Sequence, residues 1–149
     1  MSARVRPTLR KSLDRWYRIA LPTYWIALFC LTHMPAPELP DLPQSDKIAH
    51  FAAYGLLAFL FWRFGEARKR PRTAAFLWYA ALILCGYGAL DEYLQSFVNR
   101  CADVVDWLCD VAGVALALGV LEWRRRKGMS LAPEKPGKSQ GLDSPPPSI

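Results

Sequence analysis

Long runs without charge, separated by short segments that are alternately basic and acidic, constrain this chain more than any other feature. Residues 73–90 contain no charged side chain, and residues 19–34, 48–62 and 111–121 are also uncharged. A helix needs roughly 20 predominantly apolar residues to cross the hydrocarbon core of a bilayer. The sequence therefore predicts an all-α integral membrane protein, a bundle of about four transmembrane helices.

The chain ends differ from the apolar middle. Residues 1–18 are predicted to be a basic cytoplasmic segment, residues 19–126 a four-helix transmembrane domain, and residues 127–149 a disordered cytoplasmic tail, because this tail is rich in Pro, Ser, Gly and Lys. A basic and then apolar N-terminus also describes a signal peptide, but no small-residue cleavage site follows residues 19–34. We expect a retained helix there, with Pro22 near its start.

Two of the apolar runs are too short to cross a bilayer without extension. The second helix is expected to begin earlier than residue 48, with Ser45 as its N-cap and Asp46 in its first turn. The run at residues 111–121 must be extended to include Asp106 and Asp110 as helical residues. Charges at that depth cost several kcal/mol unless they face protein, water or a partner. These acidic residues are therefore the main indication of a functional site.

The distribution of lysine and arginine predicts the orientation. Six basic residues lie in residues 1–18, five in residues 63–72 and six after residue 123, whereas residues 35–47 and 91–110 hold one each. Cytoplasmic segments of membrane proteins carry an excess of lysine and arginine. The pattern predicts a multi-pass protein of the inner, or plasma, membrane with both termini in the cytoplasm.

Composition argues against several other classes of protein. The net charge is +6 and the pI is near 9.4, but the basic residues form no face that could bind nucleic acid. The four cysteines show neither CxxC spacing nor accompanying histidines, so we expect no zinc site, other metal site, redox motif or cofactor. Cys101 and Cys109 share one external segment. They are expected to be free thiols, and a disulfide between them is the alternative if that compartment is oxidising.

Polar residues recur at helical spacing toward the external ends of three predicted helices. Asp46, His50 and Tyr54 follow one another at intervals of four, as do Tyr87, Asp91 and Gln95, while Asp103, Asp106, Asp110 and Gly113 also share a helical face. Such stripes bury their charges only when they face one another, which predicts an external polar pocket. The predicted ligand-binding residues are Asp46, Lys47, His50, Tyr54, Asp91, Glu92, Gln95, Arg100, Asp103, Asp106 and Asp110.

Each member of this set also has a purely structural interpretation. A lone histidine such as His50 is more often a hydrogen bonder in helix packing than a catalyst, and Asp46 fits the first turn of a helix. Asp91 and Glu92 could lie in a solvated loop. Gly113 is expected to allow close approach of a neighbouring helix.

Two blocks of sequence resemble the VanZ-like membrane proteins. Residues 46–55, DKIAHFAAYG, are similar to the family's DKxxHFxxY segment. Residues 91–97, DEYLQSF, followed by Arg100 and the aspartates up to Asp110, are similar to its second series of motifs, although many members have asparagine where this chain has Asp110. The resemblance covers about residues 46–113. It implies a membrane location and a link to the cell envelope, since the family is named for an accessory factor in teicoplanin resistance.

Three functions are compatible with these features. The first is an accessory envelope protein that binds an anionic or glycan-bearing, lipid-linked ligand through Lys47, His50 and Arg100, and so affects glycopeptide susceptibility. The second is an intramembrane hydrolase or transferase on lipid-linked substrates, with His50 as general base and a carboxylate as its partner or as a metal ligand. The third is a small transporter. The expected partners are membrane lipids and a lipid-linked envelope precursor; the sequence leaves homo-oligomerisation open.

Overall fold

The protein is helical wherever its structure is described. The computed structural model describes residues 7–34, 43–69, 73–98 and 103–130. These residues form four helices and one short 3-10 turn, and no strand occurs among them. The elements are α1 (Pro7–Thr32), α2 (Pro43–Ala67), α3 (Ala74–Gln95), the turn Ser96–Val98 and α4 (Val104–Ser130). The all-α prediction is confirmed. The predicted tail beyond residue 130 and Arg100 lie outside the described residues.

Three of the described helices are long and apolar enough to cross a membrane. The spans are Asp46–Ala67, Ala74–Gln95 and Val104–Gly128. Their outer faces expose large apolar side chains, including Trp78, Leu82 and Leu116. Such faces are stable against lipid but not against water, so the chain is a membrane protein. Helix α1 is not one of these three, and a fourth crossing stays a prediction.

The ends of two helices differ from the expected ones. Helix α1 begins at Pro7, so Pro22 lies in its interior rather than near its start. Proline is tolerated inside membrane helices, where neighbouring groups compensate for the lost hydrogen bond. Helix α2 begins at Pro43, which places Ser45 in the first turn instead of at the N-cap. Proline is favourable at the first helical position, because its φ is already helical and the N–H there has no partner within the helix.

The other two helices follow their local signals closely. The Thr73 hydroxyl accepts a hydrogen bond from the Phe76 amide at 3.3 Å and caps α3, which continues beyond the predicted end at residue 90 to Gln95. Helix α4 includes Asp106 and Asp110, as predicted from the length that a membrane span needs. It continues past residue 126 to Ser130. Asp91 and Glu92 therefore lie in a helix rather than in a solvated loop.

Helices α2 and α4 form the most extensive contact in the bundle, with α1 packed on α2 and α3 packed on α4. The side chains of Tyr54, Leu57, Leu84 and Val114 are almost completely buried between them. A Cβ atom on Gly113 would lie 2.2 Å from the Phe51 carbonyl oxygen. The expectation that Gly113 allows close helix approach is thus confirmed, and this contact sets the spacing between α2 and α4.

Chain direction brings polar residues to one end of the bundle. The first turns of α2 and α4 meet the last turn of α3 there, as contacts between Lys47 and Asp106 and between Glu92 and Asp103 indicate. The opposite end is held by basic residues: Arg18 donates to the Ala67 carbonyl oxygen at 2.7 Å, and Glu122 pairs with arginines of its own helix. We refer to the first end as the polar end and to the second as the basic end.

Candidate functional site

His50 on α2 lies at the centre of the polar end, between carboxylates from two other helices. Its Nδ1 is 3.0 Å from Asp110 Oδ1 on α4 and 3.8 Å from Glu92 Oε1 on α3. All three side chains are buried. The structure thus brings together one predicted site residue from each of three helices, in a place where charged groups interact more strongly than they would in water.

Lys47 is held by two carboxylates at the start of α4. Its Nζ lies 3.1 Å from Asp103 Oδ2 and 3.0 Å from Asp106 Oδ1. Asp103 also accepts a hydrogen bond from the Val105 amide at 2.8 Å. This amide and the Lys47 ammonium hold the pKa of the Asp103 carboxyl below its usual range, because both stabilise the charged form. Lys47 therefore ties α2 to α4.

Asp91 forms a second buried centre that reaches α1. Its carboxylate accepts hydrogen bonds from Thr32 Oγ1 at 3.1 Å and from Gln95 Nε2 at 3.2 Å, and the Tyr87 hydroxyl lies 3.5 Å away. His33 Nδ1 lies 3.7 Å from the same carboxylate. Sequence reasoning did not include Thr32 and His33 in the site. Their position as a polar pair at the external end of the first apolar run was the available signal.

Tyr54 lies beneath the histidine. Its side chain is fully buried, its ring stacks on Tyr87 with 6.0 Å between centroids, and its hydroxyl has no hydrogen-bond partner among the described residues. A Cβ on Gly88 would lie 3.2 Å from Asp110 Oδ2 and 3.3 Å from a Tyr54 ring carbon. The glycine therefore leaves room for the carboxylate and the phenol beside each other.

Asp46 lies at the margin of the site, and Glu92 makes a second contact there. Asp46 is exposed on the first turn of α2, with a carboxylate oxygen within 4.8 Å of ligand atoms on His50 and Asp106. Glu92 Oε2 accepts a hydrogen bond from the Asp103 amide at 3.1 Å and so joins α3 to the start of α4. Arg100 and Cys101 lie outside the described residues. Cys109 is a free thiol.

The described part of the polar end carries more acids than bases. One ammonium, that of Lys47, and two imidazoles face six carboxylates, and Lys47 and His50 already have carboxylate partners. The carboxylates are those of Asp46, Asp91, Glu92, Asp103, Asp106 and Asp110. Such a surface favours ligand groups that donate hydrogen bonds, or cations.

A pocket of about 320 Å³ opens between α3 and α4 beside this cluster. Its walls are Ala89, Glu92, Tyr93, Asp103, Val104 and Trp107. The Trp107 indole N–H donates to the Cys85 carbonyl oxygen at 3.1 Å and fixes one wall against α3. The pocket is thus mainly apolar, with two carboxylate-bearing residues in its lining. A larger pocket of about 500 Å³ lies near the basic end and contains no member of the polar cluster.

Comparisons with known proteins agree with the resemblance in the two motif blocks. A family model described as VanZ/LLP1 matches residues 7–125. A protein of the fission yeast Schizosaccharomyces pombe, named only as uncharacterized, is 36% identical over 97 residues, which cover 61% of this chain and 56% of that protein. The chain thus spans little more than half the length of this relative. No solved structure is significantly similar to the chain.

Proposed function

The chain belongs to the VanZ/LLP1 family, and from that premise we propose that it binds a lipid-linked ligand with a hydroxyl-rich, glycan-type headgroup at the polar end. The observation that carries the proposal is the pocket between α3 and α4, which combines apolar walls with Glu92 and Asp103. A lipid-linked molecule has the same division into an apolar and a polar part. Two residues of its lining, Tyr93 and Val104, are also exposed on the surface of the bundle.

The charges favour hydroxyl groups over a bare anionic group as the part that is bound. Lys47 is engaged by Asp103 and Asp106, and His50 by Asp110. Carboxylates accept hydrogen bonds, which sugar hydroxyls donate. Among the residues that the structure describes, an anion entering the same place would meet more carboxylates than bases, in a medium of low dielectric constant. Of the two ligand classes that the sequence motifs allow, a glycan-bearing lipid therefore fits better than an anionic group alone.

The physiological role that we propose is that of an accessory envelope factor. By binding a lipid-linked envelope precursor on the outer face of the plasma membrane, the protein would alter the access of glycopeptide antibiotics such as teicoplanin to their target. The hydrolase or transferase alternative uses the same site, with His50 as base and Asp110 as its partner. The transporter alternative has less support, because the described core between the two ends is formed by apolar residues such as Leu57, Leu84 and Leu118.

Filling the pocket should remove the ligand. In Ala89→Trp the indole would occupy the space between α3 and α4, and we expect lipid-linked glycan recovered with the purified protein to fall about tenfold or more, equivalent to about 1.4 kcal/mol of binding free energy. Mass spectrometry of the extracted lipids measures the amount of lipid-linked glycan that remains bound. Ala115→Trp is the matched control, because Ala115 is also exposed but does not line the pocket.

The same pair of variants tests the proposed role in cells. Expression of the unmodified chain and of Ala115→Trp in a bacterial host should change teicoplanin susceptibility equally, whereas Ala89→Trp should not change it. Equal amounts of bound lipid in both variants would contradict the proposed binding site. Chemical conversion of the bound lipid during incubation would instead favour the hydrolase or transferase.

The proposed orientation places the polar end outside the cell and the basic end in the cytoplasm, in accord with the distribution of lysine and arginine. In a background in which all four cysteines are replaced by serine, Ser96→Cys at the polar end should react with a membrane-impermeant maleimide in intact cells. Arg68→Cys at the basic end should react only after permeabilisation. Both side chains are exposed. The reverse labelling pattern would overturn the orientation.

A further inference from the structure

We propose that His50, Glu92 and Asp110 bind one divalent transition-metal ion of the Zn²⁺ or Mn²⁺ class. The sequence predicted no metal, because it offers no cysteine–histidine spacing and only one histidine within the motif blocks. The structure adds two carboxylates from distant parts of the chain, one on α3 and one on α4. These three residues would bind the ion whichever lipid occupies the neighbouring pocket.

The distances fit a shared ion. His50 Nδ1 lies 3.0 Å from Asp110 Oδ1 and 3.8 Å from Glu92 Oε1, and one ligand atom from each residue lies within 4.8 Å of the others. Nitrogen and oxygen ligands bind Zn²⁺ at about 2.0–2.2 Å, so two of them are separated by about 3.0 Å at a right angle and about 3.4 Å in a tetrahedron. Movements of a few tenths of an ångström would therefore bring each carboxylate to the right distance from His50 Nδ1. The two carboxylate oxygens, which lie within 4.8 Å of each other, would have to approach by at most about 1.4 Å to reach the tetrahedral separation.

Unsatisfied oxygen atoms give independent support. Glu92 is 6% exposed and Asp110 is 1% exposed, yet Glu92 Oε1 and Asp110 Oδ2 have no hydrogen-bond partner among the described residues. A proton on His50 Nδ1 can satisfy one carboxylate well but not both. Burying a carboxylate oxygen without a partner is costly. A dication in place of that proton would contact both carboxylates and neutralise their charge.

The donor set indicates the class of ion. One imidazole with two carboxylates suits Zn²⁺ and Mn²⁺, whereas Mg²⁺ and Ca²⁺ prefer sites made of oxygen alone. Three protein ligands also leave at least one coordination position for water or a ligand group. A second combination, Asp46 with His50 and Asp106, is less suitable because Asp46 is exposed and Asp106 is paired with Lys47.

The test is metal binding to the full chain, purified in detergent and stripped with a chelator. With Zn²⁺ alone, or with Mn²⁺ alone, we expect one equivalent to be retained, as measured by elemental mass spectrometry. The melting temperature should rise with the concentration of the ion, because an ion that binds only the folded state stabilises it. Absence of saturable binding of both ions would overturn the proposal, and so would binding of Mg²⁺ in preference to either.

Variants of the three ligands separate this site from others. His50→Gln, Glu92→Gln and Asp110→Asn should each weaken metal binding by about tenfold or more. Glu122→Gln, which changes a buried carboxylate at the basic end, should bind the metal as the unmodified chain does, and Asp106→Asn tests the second combination. Thermal unfolding of each variant in the absence of metal identifies those that fail to fold. Glu92→Gln is the decisive variant, because the glutamine keeps an oxygen that can accept the hydrogen bond from the Asp103 amide. Unchanged affinity in folded Glu92→Gln, or loss in Asp106→Asn alone, would contradict the assignment.

Discussion

Replacing Gly113 with alanine should lower the free energy of unfolding of the bundle by about 3 kcal/mol, because one added methyl group would overpack the contact between α2 and α4. The new Cβ would lie 2.2 Å from the Phe51 carbonyl oxygen and 3.0 Å from the Gly55 nitrogen. Both are backbone atoms, so no side chain can rotate away. The helices would have to separate, and His50 would move relative to Asp110.

Gly119→Ala is the matched control for this prediction. Gly119 lies on the same helix, and a Cβ there would meet no atom within 4 Å. Alanine is favoured over glycine in a helix by about 1 kcal/mol, so this variant should be as stable as the unmodified chain or more stable. Unfolding in mixed detergent, followed by circular dichroism, measures both variants. Equal stability of Gly113→Ala and Gly119→Ala would show that α2 and α4 are not in close contact at this point.

Replacing Asp91 with alanine should cost about 3 kcal/mol, since hydrogen bonds to a charged acceptor contribute about 1.5–3 kcal/mol each. The carboxylate is 1% exposed and accepts hydrogen bonds from Thr32 on α1 and Gln95 on α3. Its removal leaves the Gln95 amide without this acceptor and breaks a side-chain link between α1 and α3. We therefore expect the external end of α1 to exchange its amide hydrogens faster in this variant, as hydrogen-exchange mass spectrometry would measure.

Two further variants show whether the effect of Asp91 depends on burial and charge. Asp46→Ala removes an exposed carboxylate from the first turn of α2 and should cost less than about 1 kcal/mol, the usual size of a helix-terminus charge effect. Asp91→Asn keeps one acceptor oxygen but turns a donor toward either Thr32 or Gln95, so its stability should be intermediate. If Asp91→Ala were no less stable than Asp46→Ala, the proposed link between α1 and α3 would be wrong.

Local patterns in the sequence were sufficient to predict the helices and to predict which face of each helix carries the polar residues. The uncharged run at residues 73–90 could cross a bilayer only as a helix, and an interval of four residues places His50 and Asp46 on one face wherever the helix packs. The need to reach a full membrane span also placed Asp106 and Asp110 inside α4, as the structure has them. Helix ends were less predictable: Pro43 extended α2 beyond Ser45.

Only the tertiary structure decided which of these polar groups are partners. The pairs His50 with Asp110 and Lys47 with Asp106 join residues about sixty positions apart, and Asp91 is linked to Thr32 across a similar separation. Helical periodicity is a property of neighbouring residues and gives the direction of a side chain around its own axis. The rotation and depth of one helix against another depend instead on close packing, here on backbone contact at Gly113, which determines the distances on which binding depends.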